Sequence, residues 1–440
     1  VTVISAEQAS DPRAMLRDAP MSRFQVFAVA ICGLLAAVDG FDVVAITFAA
    51  PALLREWGVT KADTGYVLAA GLLGMAAGSL VLSPLADSFG RRRVLLASLV
   101  VITAATFWTA FSKGIVDLAI SRLLTGMGLG VVISIVYSLA AEYSNARRRD
   151  TAVSFVVTSF GIGAISGGFL SAWLLQAFGW RAIFLCGGGL GIVMLLLVWR
   201  FLLDPLALVI ARPGRDGLER ANAYLSRCGH AILSALPPSE QAGAPIAALF
   251  RGGMGKSTLI LTAVYFLYMI PQFYLQTWAP TLVADLGFSP SRAALVSAFF
   301  SVGGVTAGMS IAAGAQWISI KPLTLALMVV GGVLILLFSL LPASLGLLIA
   351  GAIVTGFFLQ GGMVAFYVIM QRTFPVHARA SGTGFVIGVG RLGSILPPVV
   401  AGLMFTAGAS RMEVTALMAA PAIICVALLW RFRVAPPTLT

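Results

Sequence analysis

The chain is short of charge. Only 10% of its 440 residues are Asp, Glu, Lys or Arg, against 59% hydrophobic, and its mean hydropathy is +0.97. A water-soluble domain carries about a quarter charged residues, so a soluble enzyme or soluble binding module is excluded. Histidine and cysteine are equally scarce. His230 and His377 fall in separate polar segments, and Cys32, Cys186, Cys228 and Cys425 form no CxxC and no metal-ligand spacing. Neither a metal site nor a disulfide framework is expected. The first 20 residues mix Glu7, Asp11 and Asp18 with arginines and lack an apolar signal core, so no cleaved signal is expected. The net charge is +12. Its basic residues lie in short clusters between apolar runs, which suits cytoplasmic loops and not a nucleic-acid surface. Gly255-Lys256-Ser257-Thr258 resembles the tail of a phosphate-binding loop. Phe250 stands where that loop needs its first glycine, and no strand precedes it, so no nucleotide is expected to bind.

What the chain has is apolar sequence in runs long enough to cross a bilayer. Twelve are read, at 24–50, 62–83, 93–111, 115–141, 151–177, 181–203, 257–284, 290–316, 320–341, 343–373, 377–408 and 411–433. The expected fold class is therefore an all-α membrane protein of twelve transmembrane helices. The units are a tail at 1–23, a six-helix bundle at 24–203, a polar linker at 204–256 with one amphipathic helix near Gly217–Cys228, a second bundle at 257–433 and a tail at 434–440. One set of loops holds only Arg55, Lys61, Lys113, Arg181, Arg292 and Arg411 of the 29 basic residues, which predicts both termini inside. The halves repeat at a constant offset of 230 residues. Gly74 matches Gly304, Gly78 matches Gly308, Arg91 matches Lys321, Thr125-Gly126 matches Thr355-Gly356, Arg149 matches Arg379 and Gly163 matches Gly393. A six-plus-six repeat is the layout of a transporter whose halves rock about a central site.

Away from the ends of the runs, four charged residues stand out. Asp39 and Asp42 share one helical face of the first span. Arg122 lies about 10 Å inside the external end of the fourth, from seven residues at 1.5 Å each. Asp42 has a comparable depth, so Arg122 is expected to pair with Asp42 or Asp39. Arg391 lies roughly 16 Å from the cytoplasmic end of the eleventh span, and no second-half carboxylate shares its depth. Its partner is then Asp39, Asp42 or a substrate anion. Guanidinium is well shaped for a bidentate grip on a carboxylate. Tyr265, Phe266, Tyr268, Phe273, Tyr274, Trp278, Gln272 and Gln276 of the seventh span, which Pro271 would kink, with Gln360 and Tyr367 of the tenth, are candidates for a ring slot. Aromatic side chains also serve packing and interfacial belts.

Ser83-Pro84-Leu85-Ala86-Asp87-Ser88-Phe89-Gly90-Arg91-Arg92-Arg93 resembles the loop signature of the major facilitator superfamily, with Ser83 and Ser88 departing from its usual residues. Its second copy is degraded, with Trp317 at the aspartate position. The run RxxxGxGxG from Arg122 resembles that superfamily's fourth-helix motif. More narrowly, Asp39-Gly40-Phe41-Asp42, the run 389–398 (VGRLGSILPP) and Ala141-Glu142-Tyr143-Ser144, followed by Arg147–Arg149, resemble the aromatic acid:proton symporters. The resemblance covers nearly the whole chain. It implies the major facilitator fold and uptake of a hydroxybenzoate or phenylpropanoid carboxylate with protons, driven by the proton gradient and without a cofactor. It makes Asp39, Asp42, Arg122 and Arg391 essential charged positions and Asp87 and Arg91 loop-motif positions; the residues themselves suggest Asp39, Asp42 and Arg122 for proton coupling and Arg391 and Arg122 for the substrate. Asp87, Gly90, Arg91, Glu142 and Arg149 would form a loop latch. The expected location is the bacterial inner membrane. An exporter of the same fold is the nearest alternative, a transporter-like receptor the next and a membrane enzyme the last.

Overall fold

The structure is a computed structural model, and it describes residues 3–4, 16–17, 19–211, 216–236, 254–314, 319–374 and 379–432. Among the described residues, twelve helices are long and apolar enough to cross a membrane. In the first half these are α1 (Arg23–Trp57), α2 (Lys61–Ala77, continued by a π-helical turn, Gly78–Leu82), α4 (Arg91–Phe111), α5 (Ile115–Tyr143), α6 (Arg149–Ala177) and α7 (Arg181–Phe201). The short α3 (Leu85–Phe89) precedes α4. The linker contributes α8 (Leu206–Ala211) and α9 (Gly217–Cys228). The second half has α10 (Met254–Ala284), α11 (Pro290–Gly314), α12 (Ile320–Leu340), α13 (Leu345–Thr373), α14 (Arg379–Gly390), α15 (Leu396–Thr406) and α16 (Arg411–Arg431). Two-residue strands β1 (Val3–Ile4) and β2 (Ile232–Leu233) pair in parallel.

Local chemistry sets several helix starts. Ser22 and Gln25, Thr60 and Asp63, and Ser410 and Glu413 form reciprocal capping boxes at α1, α2 and α16. The eleventh span is not one helix. Arg391–Ile395 forms a 3-10 turn between α14 and α15. Pro397 and Pro398 have no backbone N–H to donate to the carbonyls one turn earlier, so the α-helical ladder lapses there.

The repeat is visible as backbone contact. A Cβ on Gly126 would meet the Gly71 carbonyl oxygen at 2.1 Å, and one on its counterpart Gly356 would meet the Phe300 oxygen at 2.1 Å. Gly163 and Gly393 behave alike, against Ala37 O at 1.9 Å and Phe266 O at 2.1 Å. Only glycine allows helices this close.

The halves meet at one end of the bundle. There Lys61 pairs with Asp285 at 2.6 Å, the Ala62 N–H donates to Thr406 Oγ1, and Ser291 Oγ donates to the Ala172 carbonyl. A Cβ on Gly65 would meet Pro398 O at 2.2 Å. Toward the other end, which carries the 83–93 loop, a cavity of ≈ 880 Å³ separates the halves.

Candidate functional site

The first-half charges form a buried cluster. Arg122 Nη1 lies 3.2 Å from Asp42 Oδ1, and Nη2 donates to the Asp42 carbonyl at 3.1 Å. Thr106 Oγ1 donates to Asp42 Oδ2, and the guanidinium sits 5.6 Å from the Phe184 ring centre. The Arg122 side chain is 2% exposed and that of Asp42 6%. Asp39 is buried beside Asp42, yet its Oδ2 has no hydrogen-bond partner. The intervening residues serve packing. A Cβ on Gly40 would meet Phe160 O at 2.1 Å, and the Phe41 ring fills the space beside Gly167 and Gly187.

A cavity of ≈ 370 Å³ lies between the halves and joins the larger one through Ile133, Tyr137, Val157, Tyr367 and Arg391. Arg391 stands at the 3-10 turn, half-buried, and makes no ion pair among the described residues. Gly390 and Gly393 press that turn onto α10 at Tyr265 and Phe266. The Tyr265 and Tyr367 hydroxyls lie 3.0 Å apart beside it. Gln272, Gln276 and Gln360 also line the cavity. On α10 the lining residues Tyr265, Met269, Gln272 and Gln276 follow one helical stripe.

Two expected substrate contacts are placed elsewhere. Tyr268 points into the second-half core, where its hydroxyl donates to the Leu359 carbonyl at 2.8 Å and its ring fills the space beside Gly362. It is one position off the α10 stripe. Arg122 is held by Asp42 and borders only a small void of ≈ 20 Å³ with Gln276, a space for about one water. Neither aspartate pairs with Arg391.

Sequence reasoning missed Tyr137 and Met269. Tyr137 lines both cavities and lies within electrostatic reach of Asp39, Arg391 and Tyr367. Met269 had a usable signal, because it completes the α10 stripe; nothing in the fourth span singles out Tyr137.

At the loop end, Arg91 pairs with Glu142 at 2.6 Å. Gly90 takes φ +95°, which suits glycine, in the tight turn between α3 and α4. Arg149 is exposed in the first turn of α6. The Asp87 side chain, Trp317 and His377 lie outside the described residues. Asp204, read only as the start of the linker, accepts from the Arg92 backbone N–H at 2.9 Å and pairs with Arg220 of α9. Tyr224 of the same helix stacks on Tyr143.

Twelve spans, a doubled half and a cavity between the halves describe a fold that comparison can test. The chain matches the family model of the Major Facilitator Superfamily over residues 32–346 and 261–440. It belongs to that superfamily. Like other members it is a multi-pass membrane transporter and not an enzyme. A gallate transporter of Pseudomonas putida is 30% identical over 94% of this chain and 92% of its own length. A 4-hydroxybenzoate transporter of Acinetobacter baylyi is 32% identical over 88% and 86%. A 3-(3-hydroxy-phenyl)propionate transporter of Escherichia coli is 30% identical over 89% and 90%. Among solved structures, that of a D-xylose-proton symporter superposes with a TM-score of 0.71 at 17% identity, covering 92% of this chain and 98% of that one. At that identity the likeness concerns the superfamily fold.

Proposed function

We propose that the chain imports an aromatic carboxylate, of hydroxybenzoate or phenylpropanoid type, together with protons by alternating access. Its place would be the bacterial inner membrane with both termini inside. The carrying observation is Arg391, a guanidinium without an ion-pair partner among the described residues, on a cavity shared by both halves. A cation at that depth is costly unless it meets an anion. A carboxylate entering the cavity supplies one, and the flanking Tyr265 and Tyr367 give the ring an aromatic wall. The names of the three relatives, all for aromatic acids, support this choice of substrate.

The proton belongs at the aspartates. Asp42 is neutralised by Arg122, whereas Asp39 has no cation beside it among the described residues. Asp39 is therefore the better proton carrier of the pair. Tyr137 lies within electrostatic reach of both that carboxyl and Arg391 and would link the two sites. With the proton and the anion both aboard, the halves can close the loop end and part at the Lys61–Asp285 end. The state seen here, with the cavity toward the 83–93 loop and the halves in contact at the Lys61–Asp285 end, would be the inward-facing one.

Uptake of a labelled panel of aromatic acids into proteoliposomes, with and without an imposed pH gradient, tests the proposal. Accumulation driven by external acid is expected. Uptake indifferent to the gradient refutes the coupling, and gradient-driven flux outward makes the protein an exporter.

A further inference from the structure

The central cavity has two chemically different ends. Arg391, Tyr265 and Tyr367 form one. Along α10, Gln272 lies seven residues past Tyr265, which is about 10 Å at 1.5 Å per residue. On α13, Gln360 precedes Tyr367 by the same seven residues. Tyr265 meets Tyr367, and Tyr268, further along α10, meets Leu359, further back on α13. The two helices are therefore antiparallel, and both amides lie on the closed-end side of the tyrosine pair, lining the same cavity.

Both amides are set in place. Gln272 is 6% exposed and lines the cavity, and its carbonyl Oε1 has no hydrogen-bond partner. Gln360 rests on backbone. A Cβ at Gly304 would lie 2.2 Å from its Cδ and 2.3 Å from both its Nε2 and its Oε1. The absence of a side chain at Gly304 is thus what admits the Gln360 amide. Gln276 extends the polar end by one turn. Each amide offers an accepting carbonyl and a donating NH2, and the unpartnered Gln272 carbonyl needs a donor, which a hydroxyl supplies and a carboxylate does not. With Arg391 holding the carboxylate, the complementary donor is a hydroxyl on the far side of the ring.

Resting on the aromatic-acid reading above, we propose that Gln272 and Gln360 read a ring hydroxyl opposite Arg391, and so select hydroxylated aromatic acids over the unsubstituted acid of the same skeleton. An unsubstituted ring would bury the Gln272 carbonyl unpaired. Sites built to bond a substrate hydroxyl discriminate strongly against the analogue lacking it.

The test measures the affinities of the full-length purified protein for benzoate and for 3- and 4-hydroxybenzoate, by competition against labelled substrate in proteoliposomes. The wild type should prefer at least one hydroxybenzoate over benzoate by tenfold or more. Gln272→Leu, Gln360→Met and Gly304→Ala should each shrink that ratio at least fivefold. Arg391→Lys should weaken both acids and keep the ratio. Because the ratio is taken within one preparation, it does not depend on how much of a variant folds. A wild-type ratio near one, or a ratio that survives all three amide-end variants, overturns the proposal while leaving aromatic-acid transport standing. If the wild type takes up no member of the aromatic-acid panel, hydroxybenzoates and phenylpropanoids included, the functional reading falls and this proposal with it.

Discussion

Asp42 and Asp39 sit one helical turn apart, yet replacing them should have opposite consequences. Asp42→Asn keeps the shape of the side chain and removes its charge. Arg122 stays charged, because guanidinium does not deprotonate in proteins. It is then a buried cation, 2% exposed, whose Nε already lacks a partner. Breaking a buried pair from one side costs about 3–5 kcal/mol. The low end applies here, because Arg122 Nη2 keeps the Asp42 backbone carbonyl. A loss of about 3 kcal/mol changes the folded-to-unfolded ratio by roughly a hundredfold. Asp39→Asn removes no ion pair among the described residues, so its stability should change by less than about 1 kcal/mol. Denaturant titration of the detergent-solubilised variants measures both. Transport should divide the other way. Asp39→Asn should retain substrate exchange across a membrane without a gradient and lose pH-driven accumulation. Equal stability of the two variants would refute the structural assignment. Uphill uptake by Asp39→Asn at the wild-type level would remove Asp39 as the proton carrier.

Arg391→Lys replaces a planar fork by a point charge, and affinity for an aromatic carboxylate should fall tenfold or more; unchanged binding would take Arg391 out of the substrate site. Gly126→Ala and Gly356→Ala should each lower the apparent unfolding temperature more than Gly346→Ala, whose added Cβ meets nothing within 4 Å; equal effects in all three would deny that the repeat packs through these glycines. Burial raises the Cys228 thiol above its ordinary range, which depletes its thiolate at neutral pH. Maleimide labelling of Cys228 should therefore be slow and speed up as pH rises. Arg220→Ala, which releases α9 from Asp204, should speed it at fixed pH; no acceleration would mean that α9 is docked by other contacts.

Much of the architecture was legible in one dimension. Crossing a bilayer demands length and apolarity, and both can be counted along the chain. Eleven of the expected spans appear as single helices, apart from the π-helical end of α2, with small differences at their ends. The eleventh breaks at the 3-10 turn Arg391–Ile395, just before Pro397-Pro398, a signal present in the sequence but read as part of a continuous span. Depth arithmetic also brought Arg122 to the aspartates, because rise per residue is fixed in a helix. It left open which of them it meets, since residues three apart share both face and depth to within one turn.

Which way each side chain faces was harder. A helix inside a membrane bundle is apolar on every side, so periodicity barely distinguishes a cavity from a core. Tyr268 and Gln272 are both polar residues of one span, yet one closes the second-half core and the other lines the cavity. Tyr137 reaches the site because α5 crosses the middle of the bundle, and Asp204 reaches α4 because the chain folds back after α7. The sequence by itself determined that this chain spans the membrane twelve times in two related halves with four charged residues away from the span ends. Only the tertiary structure decided that Asp42 takes Arg122, that Asp39 is left without a cation among the described residues, and that Arg391 faces a shared cavity. Burial costs are set residue by residue, whereas their compensation depends on which helices meet.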